Sequence, residues 1–455
     1  MTRKANRALL LTGTNDFWTG PVEASTIRGG KYSHAAALEA GLLCDKRSHR
    51  SETNTMTVAP AQLAVLGAPA RFPEPLHVGR PNIPDMARVL ARFQGVLERR
   101  WLTNDGPEVR EFERRICEFI GVKHCVAMCN ATVALEIAAR ALGLSGEVII
   151  PSFTFIATAH ALRWQEITPV FADIAPQGHN IDPARIERQI TPRTTGIIAT
   201  HIWGRACAIE ALQDIADRHG LTLLFDAAHA FGCTYRGRKI GSFGQAEVFS
   251  FHATKFLNSA EGGAVVTNDD ELATRLRFMR NFGFAGYDRV AYLGTNGKMN
   301  ELSAALGLCS LDYRETIVEV NRRNLESYRR CFAEIPGVEI ETYASEEQHN
   351  YQYVVTEISP EAGGLTRDEL MTVLHRENVL ARRYFWPGCH RQEPYRTANP
   401  DAGQFLPETE RVSGRVLLFP TGTSITHQEI ETIAEIVRTA VEHAPEVRSA
   451  LAESA

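Results

Sequence analysis

The segment FSFHATK, Phe249 to Lys255, sets a lysine just after an apolar run and just before Gly262-Gly263. A lysine that forms an imine must reach an aldehyde and lose its proton readily. A partly desolvated position allows this, because burial disfavours the charged form. A lone lysine is also commonly a solvated surface charge, so its context decides. In LLFDAAHAFG, Asp226 follows Leu223-Leu224-Phe225 at the carboxyl end of what reads as a buried strand, the place where ligands bind in open α/β sheets. A carboxylate there is costly unless a cation pairs with it, and a protonated heteroaromatic nitrogen of a cofactor is such a cation. Asp226 equally suits a helix cap before Ala-Ala. In CNATVALEIAARAL, Asn130, Ala131 and Thr132 stand between strand and helix, so free N–H groups and a hydroxyl face outward at a helix start. Such a turn binds phosphate, and Asn or Thr there also serves simply as a cap.

These residues need a sheet to hold them, and the chain supplies one. CVAMC, EVIIP, TPVFADI, TGIIATHIW, LTLLFDAAHAFG, EVFSF and GGAVVTN read as strands. Between the first five fall helical stretches: ATVALEIAARALGL, TFIATAHALRW, IDPARIERQI and IEALQDIADRHG. Strands apolar on both faces and separated by helices indicate a mostly parallel sheet covered on both sides. Upstream, PNIPDMARVLARFQGVLERRW and GPEVREFERRICEFIGV carry helical spacing, with Pro107 in a first-turn position. Downstream, MNELSAALGLCSLDYRETIVEVNRRNLESYRRCFAEI is a long connecting helix. A smaller α+β unit follows it, with VEIETY, YQYVVTEI and VLLFPTG as strands and TRDELMTVLHREN and THQEIETIAEIVRTAVEH as helices. The expected organisation is a poorly ordered extension over 1–72, a large cofactor-sized domain over 73–315, and a connector helix with a small C-terminal domain over 316–455.

The 455 residues, 23% charged and 44% hydrophobic, have an ordinary globular balance. A formal charge of −5 gives no electrostatic footprint for nucleic acid. No apolar run approaches the roughly 20 residues that span a bilayer, and the early ALLLTG stretch is too short for a signal peptide. Nine cysteines without a C-x-x-C pair suggest neither a disulfide framework nor a metal site. Cys125 and Cys129 read as small buried residues. A cytoplasmic protein without a membrane or nucleic-acid partner is expected.

In order along the chain stand GPEVREFE, CNATVALEIA, EVIIPSFTFIATA, PVFADI, ITPRTTGIIATHIWG, FDAAHAFG, GSFGQAEVFSFHATK, EGGAVVTND and GTNGKMNELSAALG. This series resembles the DegT/DnrJ/EryC1/StrS family of sugar aminotransferases over roughly residues 75 to 440. The resemblance implies an α/β fold of the PLP-dependent transferase type I, aspartate-aminotransferase-like, with a mostly parallel central sheet in its large domain. It implies pyridoxal 5′-phosphate (PLP) as cofactor, with pyridoxamine 5′-phosphate as its intermediate form. By the same resemblance Lys255 is the imine lysine and proton shuttle, and Asp226 the partner of the pyridine nitrogen. Ser250, Thr132 and the backbone at Ala131 are phosphate contacts, and Phe155 lies against the cofactor ring. Asn296 reaches the phosphate from a neighbouring subunit, which implies a homodimer with a shared active site. The family's Ser-Gly-Thr turn is Asn130-Ala131-Thr132 here, and its glutamine three residues after the aspartate is His229. An imidazole still offers a hydrogen bond and a flat face, so His229 stays in the candidate set.

The stretches LRWQEITPVFADI, HIWGRAC, FDAAHAFG and FHATKFLNSAEGGA look most like enzymes that aminate C4 of dTDP-4-keto-6-deoxyglucose, with glutamate as amino donor. A 3-keto-sugar or aminocyclitol aminotransferase is the alternative within the family. A dehydratase branch has histidine in place of the lysine, and a non-catalytic regulator would not need Lys255, Asp226, Thr132 and Ser250 together. In ARRYFWPGCH, Arg382, Arg383, Tyr384 and His390 are candidates to touch a sugar nucleotide, arginine matching a diphosphate through its planar fork. The same residues also read as a solvated basic edge.

Overall fold

The computed structural model describes residues 63–453. Its strands begin with β1 (Leu76–His77), β2 (His124–Met128), β3 (Glu147–Pro151), β4 (Thr168–Ala172), β5 (Thr194–Thr200) and β6 (Thr222–Asp226). The short hairpin β7 (Thr234–Tyr235) and β8 (Arg238–Lys239) precedes β9 (Ala246–Ser250) and β10 (Gly263–Thr267). The last four are β11 (Val338–Ile340), β12 (Val354–Ile358), β13 (Val379–Leu380) and β14 (Val416–Phe419). Seven strands form one sheet in the order β2-β10-β9-β6-β5-β3-β4. Neighbours pair in parallel except at β10, which runs against both β2 and β9.

Period-two alternation sorts the strand residues onto two cores. Ile149, Ile197, Leu223, Phe225 and Phe249 enter one, which the helix Pro107–Ile120 covers. Val148, Ile150, Ile198, Leu224 and Val248 enter the other, beneath the helices Ala131–Ala141 and Ile156–Arg163. Burial of each such side chain contributes about 1.5–3 kcal/mol, so neither face tolerates a one-residue slip. Continuing the alternation, Asp226 shares a face with Leu224, and Ser250 with Val248. Both therefore lie on the side of the sheet that carries those two helices.

A 32-residue helix, Glu301–Phe332, links this body to a second core. Its Ala304, Leu308 and Ile317 belong to the first core and its Leu325, Tyr328 and Phe332 to the second. There they meet the antiparallel sheet β11-β12-β14 and the helices Arg367–Arg376 and His427–Glu442. Thr366 and Thr426 start those helices with capping boxes to Glu369 and Glu429.

One boundary expected from sequence is corrected. Residues 63–72 are not part of a loose extension, because Leu63, Val65 and Phe72 are buried in the second core. Glu377 accepts hydrogen bonds from the backbone of Ala64 and Arg71, and β1 pairs in parallel with β13. This docking of single apolar residues carries no helix or strand period to read. The rest of the expected extension, 1–62, lies outside the described residues. IDPARIERQI, expected as one helix, is a single α turn, Pro183–Ile186, followed by a 3-10 turn.

Candidate active site

The carboxyl ends of β2, β3, β5, β6 and β9 share one edge of the sheet, and the candidate residues leave the chain there. Gly263, at the start of antiparallel β10, pairs with Met128 and Ser250 at the same edge. A Cβ on Gly263 would lie 2.5 Å from the Asn130 carbonyl carbon and 2.6 Å from the Ala131 nitrogen. The turn between β2 and its helix therefore sits directly on the sheet, an approach only glycine permits.

At that turn Asn130 is the N-cap, its side chain accepting from Val133 N at 2.9 Å. The capping role is real for Asn130 and takes one orphan donor of the helix. The N–H groups of Ala131 and Thr132 and the Thr132 hydroxyl have no hydrogen-bond partner among the described residues, the arrangement that receives an anion. Ser250 ends β9, nearly buried, its hydroxyl accepting from His252 N at 3.4 Å.

Asp226 is 5% exposed and ends β6. Thr158 donates to Oδ2 at 2.8 Å and Ala228 N to Oδ1 at 3.1 Å. Residues 228–229 form a turn rather than a helix, so Asp226 is no helix cap. Burial pushes its carboxyl above the ordinary value, against the opposing pull of Thr158, Ala228, Lys255 and His201. Thr158 reaches it because alternation turns Asp226 towards the helix Ile156–Arg163.

Lys255 is partly buried in the loop after β9, and its Nζ donates to the Tyr353 hydroxyl at 3.3 Å. Desolvation lowers its ammonium to about 8, with Asp226 pulling the other way. The mutual effect on the two groups joins Lys255 and Asp226 in one electrostatic site.

His229 is buried, and burial, reinforced by the Lys255 charge, takes its imidazole well below the usual value. Its ring stacks on Trp203 at 5.9 Å and 14° and on Phe385 at 5.9 Å and 14°, with Tyr353 edge-on at 4.9 Å. Nδ1 accepts from Trp203 N at 3.3 Å, which leaves the ring proton on Nε2. Phe155 precedes its helix with its ring 56% exposed, 6.3 Å from Phe385. Beside it opens a cleft of about 430 Å³, lined also by Met371, Arg382, Arg383, Tyr384 and Trp386.

The structure thus gathers Ala131, Thr132, Ser250, Asp226, His229, Lys255 and Phe155 at one edge. Asn296 is exposed in the loop before the long helix, bridged to Asn281, and no described contact ties it to Lys255 or Asp226. His390 is not a surface residue for a sugar nucleotide. It is buried between the Ser152 hydroxyl and Glu410, each at 2.7 Å. Sequence reasoning passed over Thr158, Trp203, Tyr353 and Phe385. HIWG and FTFIATA held two of them in plain view, whereas Tyr353 and Phe385 come from the smaller part of the chain and no local pattern points to them.

A family profile described as the DegT/DnrJ/EryC1/StrS aminotransferase family matches residues 85–438. The chain is 35% identical over 366 residues to the dTDP-4-amino-4,6-dideoxy-D-glucose transaminase of Escherichia coli, covering 80% of this chain and 98% of that protein. It is 33% identical over 337 residues to the GDP-perosamine synthase of Caulobacter vibrioides, covering 73% of this chain and 90% of that protein. Among solved structures it resembles DesI, crystallised in the presence of its TDP-sugar product, with 49% identity and a TM-score of 0.82, covering 86% of this chain and 99% of that one. The architecture is accordingly the α/β fold type I, and the chain belongs to the DegT/DnrJ/EryC1/StrS aminotransferase family.

Proposed function

We propose that this chain is a PLP-dependent aminotransferase that converts dTDP-4-keto-6-deoxyglucose to dTDP-4-amino-4,6-dideoxyglucose with L-glutamate as donor. The observation that carries the chemistry is a desolvated lysine, lowered to about 8, at the same sheet edge as the buried Asp226 that ends β6, whose carboxyl is raised by burial. The names of the Escherichia coli relative and of the DesI complex support the sugar.

The residues fit the cofactor by their donor chemistry. The partnerless N–H groups of Ala131 and Thr132, with the Thr132 and Ser250 hydroxyls, would hold its phosphate. Asp226, disfavoured as an anion until a cation faces it, would hold a protonated ring nitrogen. Lys255 would hold the aldehyde, and Phe155 and His229 offer flat faces to a ring. When bound, PLP supplies an electron sink for a bond at the amine-bearing carbon, which lets an amino group pass from donor to keto sugar in two halves. The chain's part is to move protons at Lys255 Nζ, to hold the Asp226 carboxyl in place through the Thr158 hydroxyl and the Ala228 N–H, and to present His229 as a neutral donor through Nε2. Such a division gives ping-pong kinetics.

The cleft beside Phe155 suits the nucleotide end of the substrate. Arg382 is exposed there with no carboxylate within salt-bridge distance among the described residues, and Arg383 lies 3.9 Å from the centre of the Trp386 ring while binding Asp368. A planar donor fork and an open indole match a diphosphate and a base. We further propose a homodimer in which Asn296 of the partner subunit completes the phosphate site. Its exposure supports this, as do the exposed Met86, Leu90 and Leu97 on one helix and Val290 and Leu293 near Asn296. The separate cores support a large domain and a small C-terminal one joined through the helix Glu301–Phe332, with Leu76 belonging to the small one and Ile317 to the large one. No described helix is long and apolar enough to cross a membrane, and the described cysteines are all free.

The test is product analysis with L-glutamate and a panel of dTDP-linked 3-keto and 4-keto sugars. Amination at C4 of the 6-deoxy sugar is expected. Turnover confined to 3-keto sugars would transfer the enzyme to the alternative substrate class.

A further inference from the structure

Beneath the stacked rings lies a chain of buried hydrogen bonds outside the set that would touch the cofactor. The Trp203 indole Nε1–H donates to His179 Nδ1 at 3.1 Å, and both side chains are almost fully buried. With Nδ1 accepting, the His179 proton sits on Nε2, where Glu357 accepts at 2.9 Å and Glu341 lies at 3.3 Å. Arg411 braces Glu357 at 2.6 Å, and Arg205 pairs with Glu341. An imidazole and two carboxylates this close resemble a cation site. The indole, however, occupies one ring nitrogen and the proton the other, so no lone pair is left for a metal.

The backbone shows that this contact is held against a cost. Trp203 has φ 59°, the left-handed region that bulky side chains avoid, while His179 at φ 62° is of a type that enters it more readily. A tryptophan in that region persists only where its surroundings over-determine it, and the buried hydrogen bond to His179 is one of the contacts that hold it there. Trp203 in turn governs His229 in two ways: its ring stacks parallel to the imidazole, and its backbone N–H fixes the tautomer. The same indole meets Tyr353 edge-on at 5.5 Å, and Tyr353 accepts from Lys255.

We infer that His179 is a positioning residue for the transamination site. Through the indole N–H it sets the plane of Trp203, and through Trp203 the plane and tautomer of His229 and the seat of the Tyr353 hydroxyl at Lys255. The inference rests on Lys255 as the cofactor lysine. His179→Leu removes the acceptor and leaves the indole N–H unpaired, whereas Gln can accept from the indole and donate to Glu357. Trp203→Phe keeps a ring and loses the donor.

The experiment compares wild type, His179→Leu, His179→Gln, Trp203→Phe and the Leu/Phe double variant. In cofactor-free protein labelled with ¹⁵N at tryptophan, one indole resonance, identified by its loss in Trp203→Phe, should shift in His179→Leu and return in His179→Gln. In PLP-loaded protein, kcat should fall about ten- to a hundredfold in His179→Leu and the pH midpoint of the cofactor absorbance should move. His179→Gln should restore both, and the double variant should be no worse than the worse single one. If His179→Leu shifts the resonance and lowers the melting temperature but leaves kcat and the absorbance midpoint at wild-type values, His179 only stabilises the fold and the inference is overturned. A wild type with no cofactor absorbance overturns the lysine assignment and the inference with it.

Discussion

With the Lys255 ammonium brought down to about 8, about a tenth of the amine is unprotonated at pH 7, against a negligible fraction for a solvated lysine. Capture of PLP by cofactor-free protein should therefore accelerate with rising pH and level off above a midpoint near 8, measured by stopped-flow absorbance. A midpoint near 10 would mean that Lys255 is solvated. Asp226 works in the opposite sense. Its folded pKa is raised by burial, so its contribution to stability is present at low pH and is lost as pH rises through that value. Asp226→Asn should thus raise the melting temperature of cofactor-free protein at pH 7 while lowering kcat by about a hundredfold or more. Asp226 is legible in the sequence because it ends an apolar run, whereas Lys255 lies in the loop past the end of β9 and is singled out by the motif that resembles the family's. Tyr353 is not legible, since its value lies in a contact with a residue 98 positions away.

The phosphate turn depends on two elements meeting, β10 and the helix that begins at Ala131. Gly263→Val places a side chain where the Asn130–Ala131 backbone now lies, so the turn must lift and PLP affinity should weaken about tenfold or more, measured by absorbance titration. Unchanged affinity would show that the turn does not hold the phosphate. At the other end of the chain, Phe72 is buried in the second core, and Phe72→Ala should cost about 3–5 kcal/mol by denaturant unfolding. A cost under about 0.5 kcal/mol would mean that this segment is mere surface. The strands of the main sheet were readable because both faces are buried and each run is apolar throughout. The 63–72 segment was not, because three separate hydrophobic anchors on an irregular path have no period.

For the whole molecule, a shared site has a stoichiometric consequence. Mixed dimers of Lys255→Ala and Asn296→Ala protomers would contain one site with both defects and one with neither, so refolding the two inactive or impaired proteins together should recover about a quarter of wild-type activity in a statistical mixture. No recovery would place each site within a single chain. The expectation of a site shared between subunits comes from the resemblance to a family and not from this chain's spacing. The alternation of strand and helix, by contrast, disclosed the large sheet directly. The most direct measurement is the absorbance spectrum of PLP-loaded wild type and Lys255→Ala, before and after L-glutamate and then after dTDP-4-keto-6-deoxyglucose. In the wild type the lysine-bound cofactor band should be bleached by glutamate and return with the keto sugar, and Lys255→Ala should never form it. A wild type with no such band, or a Lys255→Ala protein that cycles as the wild type does, would contradict the assignment of Lys255.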